Sequence, residues 1–425
     1  MRTSLIHLLA VGSLVLAACG AVPTPGASPT SLRPTASGSP PDGAPTGTAN
    51  APLRILIWLP PGIEPAPATT AGGLLAERLQ AFQQEHPGVS IEYRVKDPSG
   101  PAGLLESLTA ATQAAPASLP DVIALDALSL TAATLKGLIV PLTGLVDEPY
   151  EQGWYGYARS SSTIGGFFFG LPFAADAEVF AYQTAGYPVP PLAWADVLGG
   201  PSPFLFPAAD PNASFTLAQY LALGGQLLDA AGQPTLDTGL LGEVLSFYAS
   251  ARNATVIPLS ARQYASAADT WRVLLAGRAR AALTPFSTFL TEPNRAALSA
   301  IPLPTRDGAG VCFVNTWSWA LVTSDPERQE VAAELLSWLT EPEFLGPWTY
   351  ALGFLPPTTS ALSLWPPGED VALASQLVTS ALPQPSMEFL ATFGPPFQEA
   401  ALAVLEGSLT PDAAASAASL AVRTP

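Results

Sequence analysis

Histidine and cysteine, the residues most often used for nucleophilic catalysis and transition-metal binding, are scarce in this chain. The 425 residues include two of each. His7 lies in an apolar N-terminal stretch, and His86 lies in Glu85-His86-Pro87-Gly88, a turn typical of a helix end. A Ser-His-Asp catalytic set and a histidine metal site are therefore not expected. Phosphate-binding and dinucleotide glycine motifs are also missing, so no cofactor is predicted. The sequence alone does not exclude a catalytic pair of carboxylates, so a glycosidase stays open as an enzyme alternative that no motif supports.

The two cysteines have different surroundings. Cys312 lies in the apolar, strand-like run Gly310-Val311-Cys312-Phe313-Val314, which predicts a buried and unreactive thiol. Cys19 lies near the N-terminus, so the body of the chain has one cysteine and is expected to form no internal disulfide.

The N-terminus has the pattern of an export signal. Arg2 precedes an apolar stretch from Leu5 to Leu16, which is too short to span a bilayer as a permanent helix. The following Leu16-Ala17-Ala18-Cys19-Gly20 resembles the lipobox of bacterial lipoproteins, whose cysteine thiol receives diacylglycerol. The resemblance implies a signal peptide over residues 1–19, lipid on Cys19 and attachment to the outer face of the cell membrane. The alternative is an ordinary signal cut near Ala18.

Residues 20–52 are predicted to be a disordered tether. Proline, serine, threonine, glycine and alanine dominate this segment, and Arg33 and Asp42 are its only charges. Such a composition cannot bury enough apolar surface to offset the entropy lost on ordering.

The net charge of the chain limits the classes of molecule that it can bind. The formal net charge is −17, and the only lysines are Lys96 and Lys136. A nucleic-acid partner is not expected, because phosphate binding needs a basic face.

The body begins with alternating strands and helices. Arg54–Leu59, Val89–Val95 and Asp121–Leu125 read as strands, and helices are predicted between them. In the first helix, Leu75, Leu79 and Phe82 fall on one face. This order predicts parallel α/β topology.

Seven segments, taken in order, resemble bacterial extracellular solute-binding proteins, the binding components of ABC importers, in the branch that mostly carries sugars and oligosaccharides. They are 79–89 (LQAFQQEHPGV), 119–123 (LPDVI), 135–142 (LKGLIVPL), 170–173 (GLPF), 191–197 (PLAWADV), 275–279 (LAGRA) and 353–356 (GFLP). The chain departs from the family at Tyr182-Gln183, where Tyr-Asn is usual, and around Asn315, where Gly-Gly is common.

The resemblance implies a two-lobed α/β, periplasmic-binding-protein-like fold with a ligand cleft between the lobes. The first lobe is placed at residues 53–173 plus 313–364, and the second at 174–312 plus 365–425. It also implies a monomer that performs no catalysis, binds a small molecule, and delivers it to the permease subunits of an ABC transporter.

Candidate ligand contacts are aromatic and short polar residues near strand ends, because sugars present flat C–H faces and hydroxyl rims. Trp58 lies at the end of the first strand and Asp126 follows the third; core packing and a helix N-cap are their respective alternatives. Phe173 and Asp176 flank the predicted crossing between lobes, where Asp176 could instead be a solvated or hinge acid.

Further candidates lie later in the chain. Asp210 and Phe215 match a loop that contacts ligand in sugar-binding relatives, with an ordinary surface loop as the alternative. Phe286 follows the strand Ala281–Thr284, where the family commonly offers an aromatic wall, and Phe354 could close the cleft or pack its own turn.

Trp317 and Trp319 lie two residues apart in a strand-like segment, so both side chains are expected on one face. They are predicted to form either a stacking platform for a sugar or part of the core.

These patterns together predict a lipid-anchored protein that captures a sugar or oligosaccharide for import. Alternatives are a binding protein for a peptide, polyamine or other small polar solute, a sensor subunit, and a secreted lipoprotein glycosidase.

Overall fold

Two long strands, Leu171–Gln183 and Cys312–Leu321, connect the two halves of the molecule. In the computed structural model, which describes residues 52–147 and 153–423, these strands lie side by side at the centre of a mixed sheet. The predicted signal, Cys19 and all but the last residue of the predicted tether lie outside the described residues.

The strands are β1 (Leu53–Leu59), β2 (Val89–Val95), β3 (Val122–Asp126), β4 (Thr163–Ile164), β5 (Phe167–Phe168), β6 (Leu171–Gln183), β7 (Phe204–Leu205), β8 (Ala281–Pro285), β9 (Leu298–Ile301), β10 (Cys312–Leu321) and β11 (Ala381–Pro383).

The helices are α1 (Thr70–Glu85), α2 (Leu104–Ala114), α3 (Ala127–Leu135), α4 (Gly156–Ser162), α5 (Trp194–Gly199), α6 (Ser214–Ala222), α7 (Thr238–Asn253), α8 (Ala267–Leu275), α9 (Phe286–Thr291), α10 (Pro326–Trp338), α11 (Pro342–Leu352), α12 (Thr359–Leu362), α13 (Glu369–Ser380), α14 (Met387–Glu406) and α15 (Pro411–Arg423). Short 3₁₀ helices cover Pro116–Ser118, Leu259–Gln263 and Arg295–Ala297.

The main sheet has the order β2-β1-β3-β10-β6-β8-β7, with β11 beside β10 and β9 beside β6. β1 runs parallel to β2 and to β3, which confirms the predicted topology of the first three strands. The short strands β4 and β5 form a separate antiparallel pair.

The crossing strand β6 changes partners along its length. Its first part, up to Ala177, pairs with β10, and the part from Glu178 onward pairs with β8. One continuous strand therefore belongs to both halves of the sheet. The predicted lobe boundary at 173/174 falls within β6, and the one at 312/313 falls at the start of β10.

Helices cover the sheet with the predicted spacing of apolar residues. α1 buries Leu75, Leu79 and Phe82. It ends at Glu85 and is capped by His86, whose backbone N–H donates to the Phe82 carbonyl oxygen. Cys312 is fully buried in β10, as its apolar surroundings predicted.

Among residues 52–147 and 153–423, no helix combines the length and the apolar character needed to cross a membrane.

Candidate functional site

A cavity of about 300 Å³ opens beyond the carboxyl end of β1. Its walls come from four parts of the chain: the loop after β1, the loop after β2, helix α9, and a group around β10 and the end of α11. The lining residues are Pro60, Pro61, Gly62, Ile63, Pro98, Ser287, Thr288, Thr291, Trp317, Leu352 and Phe354. The α9 residues belong to the predicted second lobe and the others to the predicted first lobe.

The lining has the chemistry of a site for a neutral, hydroxylated molecule. None of the described residues that line the cavity has a charged side chain. Ser287, Thr288 and Thr291, which we call the hydroxyl wall, can each accept and donate hydrogen bonds. Trp317 and Phe354 add aromatic surface for apolar faces.

Trp317 is held at the cavity by the centre of the sheet. In β10 it lies opposite Asp126 of β3 on one side and Ala174 of β6 on the other. Its side chain is largely covered, with 9% of the residue surface exposed. The ring is therefore an anchored wall rather than a mobile surface group.

The hydroxyl wall is held by Asp176. α9 begins after Pro285, whose side chain offers no hydrogen bond to the helix. An oxygen of Asp176 accepts the Ser287 backbone N–H at 2.9 Å, and its other oxygen accepts the Ser287 hydroxyl. The Ala177 backbone N–H also donates to Asp176, at 2.9 Å. Burial raises the pKa of Asp176 to about 6, although these hydrogen bonds act in the opposite direction.

The segment Gly353–Leu355 packs against the same helix. Leu355 exchanges two backbone hydrogen bonds with Ala175, at 2.7 and 2.9 Å, and so places Phe354 at the cavity. Gly353 has a φ of +77°, and a Cβ there would lie 2.9 Å from Thr291 Cγ2 and 3.0 Å from the Ser287 backbone oxygen. Glycine is therefore required by both the backbone and the close approach of α9.

A second carboxyl group on the crossing strand has an unusual environment. Burial, together with the nearby carboxyl groups of Asp210 and Asp176, raises the pKa of Glu178 to about 7. Asn315 lies opposite Asp176 across the β6–β10 pair, and its Oδ1 atom is buried without a hydrogen-bond partner among the described residues.

Several predicted contacts lie in the core instead of at the cavity. Phe173 and Trp319 are fully buried, and their rings stack with centroids 4.4 Å apart. Phe286 is also fully buried, with its ring parallel to that of Trp365 at 6.4 Å. Phe215 is buried beside Phe206, with ring centroids 4.9 Å apart.

The remaining predicted contacts have structural partners. Trp58 is 2% exposed, and the Lys96 ammonium lies 4.4 Å from its ring centroid. Asp126 caps α3 by accepting the Ser129 N–H at 2.8 Å, and burial raises its pKa. Asp210 accepts two backbone N–H groups, from Asn212 and Ser214, in the turn before α6. Of the ten predicted ligand contacts, the structure brings Trp317 and Phe354 together in the cavity lining.

Sequence reasoning did not single out the hydroxyl wall or Glu178. Ser287, Thr288 and Thr291 directly follow a predicted strand, and this position at a strand end is the signal that could have identified them. Glu178 carries no comparable signal, because its environment depends on Asp210, which is distant in sequence.

No described group of three or more histidine, cysteine, aspartate or glutamate side chains is arranged to hold a metal ion.

Solved structures share the fold over nearly their whole length. One is the cyclic α-maltosyl-1,6-maltose binding protein from Arthrobacter globiformis, with 17% identity, a TM-score of 0.71, and coverage of 88% of this chain and 98% of that one. Another is a cyclo/maltodextrin-binding protein complexed with maltotetraose, with 20% identity, a TM-score of 0.68, and coverage of 88% and 97%. Maltose-bound MalE3 from T. maritima has 19% identity, a TM-score of 0.66, and coverage of 87% and 99%.

These similarities confirm the predicted two-lobed α/β fold. No curated protein sequence matches the chain. The model of the bacterial extracellular solute-binding protein family matches residues 77–374, well over half of the chain. The chain therefore belongs to the bacterial extracellular solute-binding protein family.

Proposed function

We propose that this protein captures a neutral sugar or oligosaccharide outside the cell and delivers it to an ABC-type importer. The observation that carries the proposal is the cavity lining, to which Trp317 and three hydroxyl side chains contribute and no charged group does. An aromatic ring matches the C–H face of a sugar, and the hydroxyls match its rim. Structural relatives that bind maltose and maltodextrins support the same ligand class.

Capture follows from the position of the cavity between the two predicted lobes. The hydroxyl wall comes from one lobe, and Trp317 and Phe354 come from the other. A ligand that touches both walls stabilises the closed arrangement more than the open one, so binding shifts the population toward closure. The closed form is the one that we expect the permease to recognise.

Two alternatives fit the cavity less well. A polyamine needs carboxylates facing it, and a glycosidase needs two carboxyl groups flanking the scissile bond. Neither aspartate nor glutamate occurs among the described lining residues. A neutral ligand that is bound without cleavage agrees better with this lining.

The ligand class is tested by thermal unfolding of the purified protein with maltose, maltotriose, a cyclic maltodextrin, spermidine and a tripeptide. We expect stabilisation by at least one neutral sugar, of about 2.7 kcal/mol at a concentration one hundred times the dissociation constant. The affinity should change little with salt, because a neutral ligand is not screened. Stabilisation by spermidine or the tripeptide alone would contradict the proposal, as would cleavage of maltotriose.

The proposal includes a lipid anchor on Cys19, which would hold a monomeric binding protein at the outer face of the membrane. Two or three acyl chains are enough for stable anchoring. We expect Cys19→Ser to release the protein from membranes. An unlipidated wild-type N-terminus in mass spectrometry would rule out the anchor, and a dimer in light scattering would contradict the monomer.

A further inference from the structure

We propose that Asp176 is a positioning residue that sets the hydrogen-bond polarity of the hydroxyl wall, so that Ser287 and Thr291 meet the ligand as acceptors and the ligand group facing them is a hydrogen-bond donor. This inference rests on the proposed function, because it concerns the same cavity. It specifies what the ligand must present there: hydroxyl or amine hydrogens rather than carbonyl, carboxylate or phosphate oxygens.

Helix α9 takes its cap from another part of the chain. This helix has six residues and begins at Phe286, after a proline that cannot cap it with its side chain. Asp176 supplies the missing acceptor from β6, 111 residues away in sequence, by accepting the Ser287 backbone N–H. An acceptor at this place satisfies one of the unpaired N–H groups of the first turn. Without Asp176, the first turn of α9 has no side-chain anchor at Ser287.

The same carboxylate orients the Ser287 hydroxyl. A serine hydroxyl has one hydrogen to donate and two lone pairs to accept with. The hydrogen of Ser287 is donated to Asp176, so the oxygen has only lone pairs left for the cavity. The same residue is thus held at its backbone and at its side chain, which fixes both the turn and the direction of the hydroxyl.

The Thr291 hydroxyl has the same polarity as that of Ser287. Its hydroxyl donates to the Ser287 backbone oxygen at 2.7 Å, which again leaves lone pairs for the cavity. Gly353 packs against this part of α9 and leaves little room for the helix to turn. Two of the three hydroxyls in the wall are therefore acceptors toward the ligand.

The Asp176 carboxylate acts through Ser287 rather than by contacting the ligand. The two Asp176 oxygens already accept three hydrogen bonds, two from Ser287 and one from Ala177. An ionised carboxylate has about four acceptor positions, so most of its capacity is used within the protein. Asp176 is absent from the described cavity lining, whereas Ser287 is part of it.

The test compares Asp176→Ala, Asp176→Asn and Ser287→Ala with a matched control, Asp229→Asn, in the purified full chain. Asp229 is a carboxylate that also accepts backbone N–H groups, from Ala231 and Gln233, but in an exposed turn. The first readout is amide hydrogen exchange over residues 286–291 without ligand. We expect exchange there to rise at least tenfold in Asp176→Ala and to stay unchanged in Asp176→Asn and Asp229→Asn.

The second readout is the dissociation constant for maltotriose. In Asp176→Asn the helix keeps an acceptor for the Ser287 N–H, but the new amide N–H₂ group now donates toward the hydroxyl. Ser287 is then forced to point its hydrogen at the ligand. We expect Asp176→Asn to weaken binding by about threefold to tenfold, the usual range for one hydrogen bond. Ser287→Ala should weaken binding to a similar extent, and the double variant should lose little more, because both changes remove the same interaction.

Three results would overturn the inference: unchanged exchange in Asp176→Ala, unchanged affinity in Asp176→Asn, or fully additive losses in the double variant. If no sugar on the panel stabilises the wild-type protein, the proposed function fails. The exchange measurement still decides in that case whether Asp176 positions α9.

Discussion

The ring of Trp319 stacks on the ring of Phe173, with centroids 4.4 Å apart and planes inclined by 26°. Phe173 is the extra residue of a bulge in β6, since Ala174 pairs with Trp317 and Pro172 pairs with Ser318. The Phe173 ring also lies 5.5 Å from that of Trp348 in α11. The bulge therefore fills the space under α11 with aromatic rings, and the neighbouring Trp317 is left to face the cavity.

Trp319→Ala is expected to lower the free energy of unfolding by about 3–5 kcal/mol, because it removes a fully buried ring and leaves a void. Urea denaturation measures the change, and Trp319→Phe serves as a control that should lose much less. Sugar affinity, corrected for the folded fraction, should remain close to wild type. A normal stability with impaired binding would place Trp319 in the ligand site instead.

Trp317→Ala should behave differently from Trp319→Ala. Loss of the stacking surface is expected to weaken sugar binding about tenfold or more, if ring stacking contributes the 1–3 kcal/mol known for bases on aromatic side chains. Calorimetry measures the affinity, and Trp338→Ala is the matched control, because Trp338 packs on Arg78 and does not line the cavity. A large fall in melting temperature with unchanged affinity would make Trp317 a core residue.

The different positions of Trp317 and Trp319 in the structure indicate what local sequence can predict. The strands predicted at 54–59 and 89–95 and the buried face of α1 follow from patterns within a few residues, and the structure confirms them. The resemblance to the solute-binding family, built on seven short segments, is likewise confirmed.

Contacts between residues that are far apart in sequence determine which other side chains line the site. Trp317 and Trp319 have the same local signal, and they differ because the Phe173 ring, which also contacts Trp348 of α11, stacks on Trp319. The hydroxyl wall depends on Asp176, which is 111 residues from Ser287. Periodicity cannot reveal such contacts, since it reports the direction of a side chain and not what lies above it.

Asp121→Ala is expected to destabilise the protein by about 3–5 kcal/mol. Asp121 is 2% exposed, accepts the Leu56 backbone N–H at 2.8 Å and pairs with both Arg328 Nε and Nη2. The substitution leaves a buried N–H and a guanidinium without their acceptor. Glu92→Ala breaks the exposed pair with Arg54 and should cost no more than about 1 kcal/mol. Equal losses in the two variants would contradict this ranking.

The Cys312 thiol should resist alkylation in the folded protein. It is buried, it donates to the Leu377 oxygen at 3.5 Å, and burial raises its pKa to about 12, so almost no thiolate forms at neutral pH. In a Cys19→Ser background it is the only thiol, and maleimide labelling should follow the urea unfolding curve. Ser408→Cys, at an exposed position, should label at once. Rapid labelling of native Cys312 would show that β10 opens.

Stability should fall as the pH rises from 5 to 8, because of Glu178. Burial and the nearby Asp210 and Asp176 raise its pKa from 4.5 to about 7, so the folded state binds the Glu178 proton more tightly than the unfolded state does. The stabilisation from this proton is complete below pH 4.5 and is lost as the pH passes through 7. Asp176, with its pKa raised to about 6, adds a change of the same sign at slightly lower pH.

Melting temperatures at pH 5, 6, 7 and 8 test this prediction for wild type, Glu178→Gln and the exposed control Glu77→Gln. Glutamine has no proton to lose in this range, so Glu178→Gln should reduce the difference between pH 5 and pH 8 and raise the melting temperature at pH 8. The control should retain the wild-type profile. If Glu178→Gln keeps the full difference, Glu178 does not cause it and its pKa is not raised. If the variant melts lower than wild type at pH 8, the ionised Glu178 carboxylate is stabilised in the folded protein, which also contradicts a raised pKa.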